Sequence, residues 1–484
     1  MISFISLEFI FRFLPIFLIA YYLTPTKYRN ITLIVGSLIF YAFGEPLMII
    51  LLASLMVINY LIANIEYKNV YSRREVRTET MGTTTVVKLA ELNGSEASGG
   101  MKRMDVSKRL PYMIMVVTLD VLVLVVFKVL GTFVDKALFP IGLSFYIFKM
   151  ISFQIDIYRG EIPKKPEIFE VLAYFSLFPQ ITQGPIMRFE EGSMGEEKRF
   201  SWDNIEEGLI YFVAGFAMKT ILADRIGILW NDLSMYGYQS ISTPLAWLGA
   251  FAYSFELYFD FWGYSLMASG IMVMLGFDFI RNFDSPYASK SISEFYRRWH
   301  MTLGAFFRDY IYFPLGGSHG SNIRMVVNLG IVWILTGLWH GNGYNFLLWG
   351  VILGILIILE KLFYGKKLKE IPFLGNVYVI ILIPLTWVVF AIDSLKNLGA
   401  YFGRLFPMFS RGDVVVNSQD IFMYLKDYWW MFVVAIILCV PQVPEFLNKH
   451  KKNPIATAIL MILFWYSVYF SASSAGNPFM YLHF

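Results

Sequence analysis

Apolar residues run through this chain in long blocks. They fall at about 3–23, 30–43, 46–65, 111–133, 137–157, 204–230, 244–277, 323–341, 344–363, 371–393, 420–440 and 454–472. A helix crosses a hydrocarbon core of about 30 Å with roughly 20 residues, so all but the short 30–43 block can span. The pattern predicts about twelve crossings in an all-α polytopic membrane protein. The block 168–188 is also apolar, but Pro179, Gly184 and Pro185 interrupt it. Broken backbone at membrane depth is tolerated only under a cover of protein or beside a water-filled cavity, so this stretch is expected to be re-entrant.

Between the blocks lie basic clusters. Lys27 and Arg29 follow the first block, and Arg159, Lys164 and Lys165 follow the fifth. Arg281, Lys290, Arg297, Arg298 and Arg308 follow the seventh; Lys361, Lys366, Lys367 and Lys369, then Lys449, Lys451 and Lys452, come later. Basic loops stay in the cytoplasm. With the N-terminus outside and 168–188 re-entrant, every cluster lands in the cytoplasm, and both termini are predicted to lie outside. The first block carries Glu8 and Arg12 and lacks a basic leader and a small-residue cleavage site, so it is expected to be retained. The insert 66–110 holds nine Lys/Arg and six Asp/Glu. Its Gly/Ser-rich centre, Asn93–Gly100, predicts a mobile cytoplasmic loop. No internal repeat is visible, which argues against transporter folds built from repeats.

Composition agrees with a bilayer setting. Hydrophobic residues make up 57% and charged residues 16% of 484 residues, against roughly 45–50% and 25% in soluble domains. Such a chain lacks the polar coat of a soluble globule. A net charge of +4 is no sign of nucleic-acid binding. The single cysteine, Cys439, excludes an intrachain disulfide framework and a cysteine-rich zinc module, and reads as a small buried hydrophobe.

Ionisable groups within apolar blocks are costly and mark candidate sites. Here they are Asp120, Asp156, Glu256, Asp260 and His340. Structural hydrogen bonding inside the bundle is the plainer reading of Asp120, Asp156 and Asp260. The stretch 281–316 is the most informative. Ser291 and Glu294 form a capping box, and Ile292, Phe295, Tyr296, Trp299, Leu303, Phe306, Phe307, Tyr310 and Ile311 recur at helical spacing. Lys290, Arg297, Arg298 and Arg308 fall on the other side. This predicts a basic amphipathic helix at the cytoplasmic interface, bent at Gly304, with His300 facing inward. From spacing alone His300 is equally a packed structural histidine.

In 323–349, His340 ends an apolar helix that Gly341 is expected to cap. Trp333, Thr336 and Gly337 share its face, and the small residues leave room for a narrow ligand or a second helix. An imidazole there can act as a general base near neutral pH. His319, His450 and His483 read as solvated, and no two histidines have metal-ligand spacing, so no metal site is expected.

At these residues the chain resembles the membrane-bound O-acyltransferase family, in the bacterial branch of alginate O-acetylation and D-alanyl-teichoic acid proteins. The resemblance rests on FPIGLSFYIFKMISFQIDIYRG (139–160), FPQITQGPIMRF (178–189), YFDFWGYSLMASG (258–270), NFDSPYASKSISEFYRRWHMTLGAFFRDYIYFPLGG (282–317) and GLWHGNGYNFLLWG (337–350). They cover most of 130–360 in the family's order. Leu266 departs from an acidic residue common in this branch. The resemblance implies one membrane domain over 1–484, a ring of about 11–12 tilted helices around a central tunnel. It makes His340 the catalytic histidine and places His300, in R-R-W-H, as a second one at the cytoplasmic mouth. Trp333, Thr336, Gly337, Trp339, Asn345 and Asp260 are then expected to line the tunnel.

The reaction so implied is acyl transfer, with acetyl first, from a cytoplasmic thioester to a hydroxyl outside, His340 either deprotonating the acceptor hydroxyl or acting earlier by taking the acyl group itself. The donor is acetyl-CoA or another acyl-CoA, or an acyl-carrier-protein thioester, with no bound cofactor. Arg297, Arg298, Arg308 and Lys290 either meet the donor's phosphates or anchor the helix to anionic lipid. The longest outer stretch is about 394–419, so a separate extracytoplasmic transferase or a small membrane partner protein is expected, with a glycan or cell-wall acceptor. The competing reading within the family is D-alanyl transfer to teichoic acid. Outside it stand a polysaccharide or lipid transporter and a non-catalytic scaffold.

Overall fold

A computed structural model describes residues 3–79, 98–162, 164–196, 198–409, 416–473 and 479. All regular structure among them is helical. The chain is an all-α polytopic membrane protein. Among the described residues, seven helices have the length and apolarity to cross a bilayer: Ile49–Tyr67, Arg109–Phe133, Asn322–His340, Tyr344–Glu370, Pro372–Ala391, Asp420–Cys439 and Pro454–Ser473. The other apolar blocks form helices that are shorter, or that carry buried acids. The chain gathers into two compact units, Pro15–Phe200 and Ser3–Leu14 with Ser201–Phe484.

In the first unit, α1 (Arg29–Ala42), α2 (Ile49–Glu79), α3 (Ser98–Phe133), α4 (Leu143–Arg159) and α5 (Ile168–Ser176) pack together. The insert 66–110 is largely not a loop. Helix α2 runs on to Glu79 and α3 already begins at Ser98. Glu, Lys and Arg are good helix formers, so the helices continue where the apolar pattern stops. The centre of the insert, 80–97, lies outside the described residues. In the bundle, Asn59 Nδ2 donates to Asp120 Oδ1 at 3.0 Å, and Gln154 Nε2 donates to Asn59 Oδ1 at 2.9 Å. Asp120 thus has the structural role expected from sequence. The Pro/Gly-broken stretch forms α5, one turn at Phe178–Ile181 and irregular backbone; residues 173–187 are buried in protein, while Ile168 and Phe169 at the start of α5 are exposed. Lys149, 1% exposed, donates to Gln180 Oε1 at 2.9 Å and lies 4.4 Å from the centre of the Tyr174 ring.

The second unit is built on α6 (Trp202–Ala217), α7 (Asp224–Tyr236) and α8 (Thr243–Met274). Helices α6 and α8 touch backbone to backbone. A Cβ on Gly263 would come within 2.6 Å of the Gly215 carbonyl, so only glycine permits this approach. A π-helical turn, Met218–Ala223, joins α6 to α7 and carries Lys219 inward. Its Nζ lies 2.6 Å from both Asp224 Oδ1 and Asp260 Oδ1. Asp260, expected on a tunnel wall, is instead one arm of this buried ion cluster. Beyond α8 come α9 (Ile292–Arg298), α10 (Met301–Phe307), α11 (Asn322–His340), α12 (Tyr344–Leu359) and α13 (Pro372–Ala391). An aromatic core joins them: Trp349 stacks on Trp387 at 5.6 Å, and Trp299 meets Trp387 at 5.1 Å.

Candidate active site

The site starts with the cap of α9. Ser291 Oγ accepts from the Glu294 N–H at 3.0 Å, as the sequence predicts. The reciprocal half shifts by one residue, since Glu294 Oε2 accepts from the Lys290 N–H at 3.1 Å. A third group completes the helix start. Glu360, 4% exposed, follows α12; its Oε1 accepts from the Ile292 N–H at 2.6 Å and its Oε2 from the Ser293 N–H at 2.9 Å. Sequence reasoning missed Glu360, because a carboxylate 67 residues downstream leaves no local signal. It satisfies two open donors and places negative charge at the positive end of the helix. Glu360→Gln should therefore lower stability by about 1–2 kcal/mol. Thermal unfolding of the purified protein in detergent measures this, and an unchanged midpoint would remove Glu360 from the account.

The amphipathic stretch bends at Trp299–His300, not at Gly304. Trp299 is extended (φ −100°, ψ 127°) and His300 is left-handed (φ 45°, ψ 54°) before α10 begins. Such a backbone costs a non-glycine residue on the order of 1–3 kcal/mol and persists when its surroundings enforce it. Here the 282–284 loop takes up the backbone groups the break releases. Met301 N–H donates to the Asn282 carbonyl at 2.9 Å, and Asp284 N–H donates to the Arg298 carbonyl at 3.0 Å. The break turns the imidazole inward, where it is 3% exposed. Its Nδ1 lies 3.2 Å from Asn282 Oδ1, and its ring meets Phe261 edge-on at 4.6 Å. Burial pushes the His300 pKa down to about 3, because a charged ring would lose its hydration. His300 is neutral at physiological pH.

His340 is the last residue of α11 and is half-buried. Its ring is set edge-on between Trp349 of α12 and Phe390 of α13, each at 5.1 Å. Gly341 does not form a left-handed cap; it is extended. It is small because the Phe346 ring occupies the place a Cβ would take. Gly337 likewise serves helix packing: a Cβ there would lie 2.6 Å from the Phe346 carbonyl. Of the two readings of this small-residue face, the second helix is the one realised.

Both histidines line one cavity of about 420 Å³. Tyr296, Trp299, Trp333, Thr336, Trp349, Trp387 and Phe390 form much of its wall, together with Arg297, Arg308 and Lys361. Trp333, Thr336, Arg297 and Arg308 agree with the sequence expectation; Lys361, which the sequence shows only as part of a basic cluster, joins them. The remaining candidates lie elsewhere. Arg298 pairs with Glu294 at 2.9 Å and Asp284 at 3.8 Å. Lys290 is not on the wall. Trp339 abuts His340, with ring centres 4.6 Å apart, without lining the cavity. Asn345 donates to the Phe390 carbonyl at 2.5 Å and so tethers α12 to α13. The cavity thus brings two imidazoles, an aromatic wall and three cationic side chains to one place. That suits a slender apolar ligand with an anionic end and a reaction needing a neutral base.

Comparisons with known proteins lead to the same chemistry. The membrane-bound O-acyltransferase family model matches residues 105–399. A probable alginate O-acetylase of Azotobacter vinelandii is 36% identical over 421 residues, covering 86% of this chain and 80% of that protein. A peptidoglycan O-acetyltransferase of Helicobacter pylori is 27% identical over 98% of this chain and 96% of its own. A teichoic acid D-alanyltransferase of Bacillus subtilis is 28% identical over 48% of this chain and 62% of its own. The match extends over more than half of the sequence and includes both cavity histidines, so this chain belongs to the membrane-bound O-acyltransferase family and is a multi-pass membrane O-acyltransferase.

Proposed function

We propose that the protein moves an acetyl group from a cytoplasmic thioester, acetyl-CoA, to hydroxyl groups of an extracytoplasmic polysaccharide. The observation that carries this is the placement of His340 and His300 on the wall of one aromatic cavity. His340 takes the proton of the acceptor hydroxyl as its oxygen attacks the thioester carbonyl. A C–O bond forms, the C–S bond breaks, and the thiolate leaves to be protonated by the imidazolium. His300 binds and orients the donor. Arg297, Arg308 and Lys361 meet its phosphates, since guanidinium and ammonium groups suit that charge. Acetyl is favoured over D-alanyl by the relatives: the acetylases match over most of this chain, the D-alanyltransferase over about half. A separate extracytoplasmic transferase or small membrane protein shares the acceptor step.

The test follows label from acetyl-CoA in membranes containing the full chain. Label on a polysaccharide is expected; label that appears only with a charged carrier protein would favour D-alanyl transfer, and none from either donor would favour a scaffold. In the same assay His300→Ala should lower transfer less than His340→Ala, chiefly through a donor KM raised about tenfold. Equal, complete loss in both with an unchanged KM would make His300 part of the chemistry.

A further inference from the structure

The His300 ring is held by a neighbour whose own orientation is not free. Asn282 is 3% exposed. Its Oδ1 lies 3.2 Å from the backbone N of Thr302, 3.0 Å from Thr302 Oγ1 and 3.2 Å from His300 Nδ1. Its Nδ2 donates to Ser265 Oγ at 2.9 Å. A backbone N–H can only donate. The amide atom facing Thr302 is therefore the oxygen, and the ring nitrogen facing that same oxygen must carry a proton.

We propose that Asn282 is a positioning residue that locks His300 in the Nδ1–H tautomer, leaving Nε2 as the lone-pair nitrogen that receives a hydrogen bond or proton during transfer. The inference rests on the proposed role of His300 and adds the state in which that ring acts. It follows from the break between α9 and α10. Asn282 caps α10 twice, through its own carbonyl to Met301 and through its side chain to Thr302. This double cap fixes the oxygen beside the left-handed His300. The tautomer is thereby tied to the fold of the R-R-W-H segment rather than to the ligand.

Helix α8 presents Phe261 to His300, and the neighbouring Asp260 pairs with Lys219. In the 282–284 loop, Asp284 faces Arg281 and Arg298. On α9, Arg298 is held by Glu294 while Arg297 lies on the cavity wall. Arg308, Lys361 and His340 share that wall. The cationic neighbours oppose protonation of His300, so a carboxylate at position 282 would be the closest negative charge to the ring.

Asn282→Asp is the decisive variant. It keeps an acceptor for both Thr302 donors, and so keeps the cap, but sets a carboxylate against Nδ1. An opposite charge at this range raises a histidine pKa by about 1–3 pH units. The sign is fixed: in the wild type the folded pKa is about 3, below an unfolded value of about 6.5. His300 therefore contributes stability that is present above about pH 6.5 and is lost as pH falls toward 3. Asn282→Asp should raise by about 1–3 pH units the pH below which the donor KM climbs, whereas the acid limb of kcat belongs to His340, and it should flatten the acid loss of thermal stability. Asn282→Ala, which loses cap and lock, should lower transfer by about tenfold or more. The measurements are labelled acetyl-CoA transfer across pH and donor concentration in membranes, and unfolding across pH for the purified full chain.

A well-folded Asn282→Asp protein with the wild-type acid rise of donor KM and the wild-type acid loss of stability would overturn the tautomer lock and leave Asn282 as a cap alone. His300→Ala run alongside separates the readings. If that variant transfers at the wild-type rate, the role of His300 fails. If it is impaired while Asn282→Asp keeps both wild-type acid responses, only the lock fails.

Discussion

His340→Gln is expected to reduce acyl transfer by about 10²–10⁴-fold, the range general-base catalysis supplies, in a protein that still folds and reaches the membrane. The argument starts from where the ring sits. A histidine ending an apolar helix gives up hydration, so its position needs a use or a partner. Helices α12 and α13 set its ring between Trp349 and Phe390, a geometry that restrains the imidazole while leaving it on the cavity wall. Glutamine retains a polar side chain of similar reach but cannot accept a proton at neutral pH. Because the ring is half-buried and follows the last helical turn, packing elsewhere should persist. Transfer and protein abundance are measured side by side. A well-expressed variant with near-wild-type transfer would end the catalytic role of His340 and favour a scaffold.

Lys219→Met is expected to have the largest effect on folding. Lys219 is 1% exposed, bonds Asp224 and Asp260 at 2.6 Å each, and has buried Glu256 nearby on α8. Three acids thus surround one cation inside the helix bundle. Removing it leaves carboxylates without compensation, which costs about 3–5 kcal/mol when one partner of a buried ion pair is lost. Against a net stability of about 5–15 kcal/mol, that should sharply reduce folded protein. The readout is the monodisperse fraction after detergent extraction and its thermal midpoint. Adding Asp260→Asn should restore part of the loss, since it removes one of the stranded charges. If Lys219→Met is as abundant and as stable as wild type, the cluster does not hold the fold.

The large features were legible because they depend on local pattern. Runs of apolar residues near membrane length can only be helices in a bilayer. The start of α9 is written in Ser291 and Glu294, whose bonds reach no further than the next turn. Trp333 and Thr336 fell on the cavity wall because helical spacing carries them to the same face as His340. What failed did so where a distant residue decides the local conformation. The bend moved from Gly304 to His300 because the 282–284 loop rewards a break there, and glycine content does not report that reward. Gly337 and Gly341 were ambiguous in sequence, since a small residue makes room equally for a ligand or for another helix; only the position of Phe346 resolved it.

By itself, then, the sequence determined that this is a helical membrane protein and which two histidines deserved attention; of its twelve apolar blocks, seven became helices long and apolar enough to cross among the described residues. What the sequence determined is a matter of composition, period or motif within one stretch of chain. Tertiary structure alone decided that His300 and His340 share a cavity, that Lys361 joins them, that Asp260 belongs to Lys219, and that Glu360 caps α9. These groups lie tens of residues apart. Their meeting is set by how helices stack, and stacking depends on the shapes of surfaces that no single stretch of sequence contains.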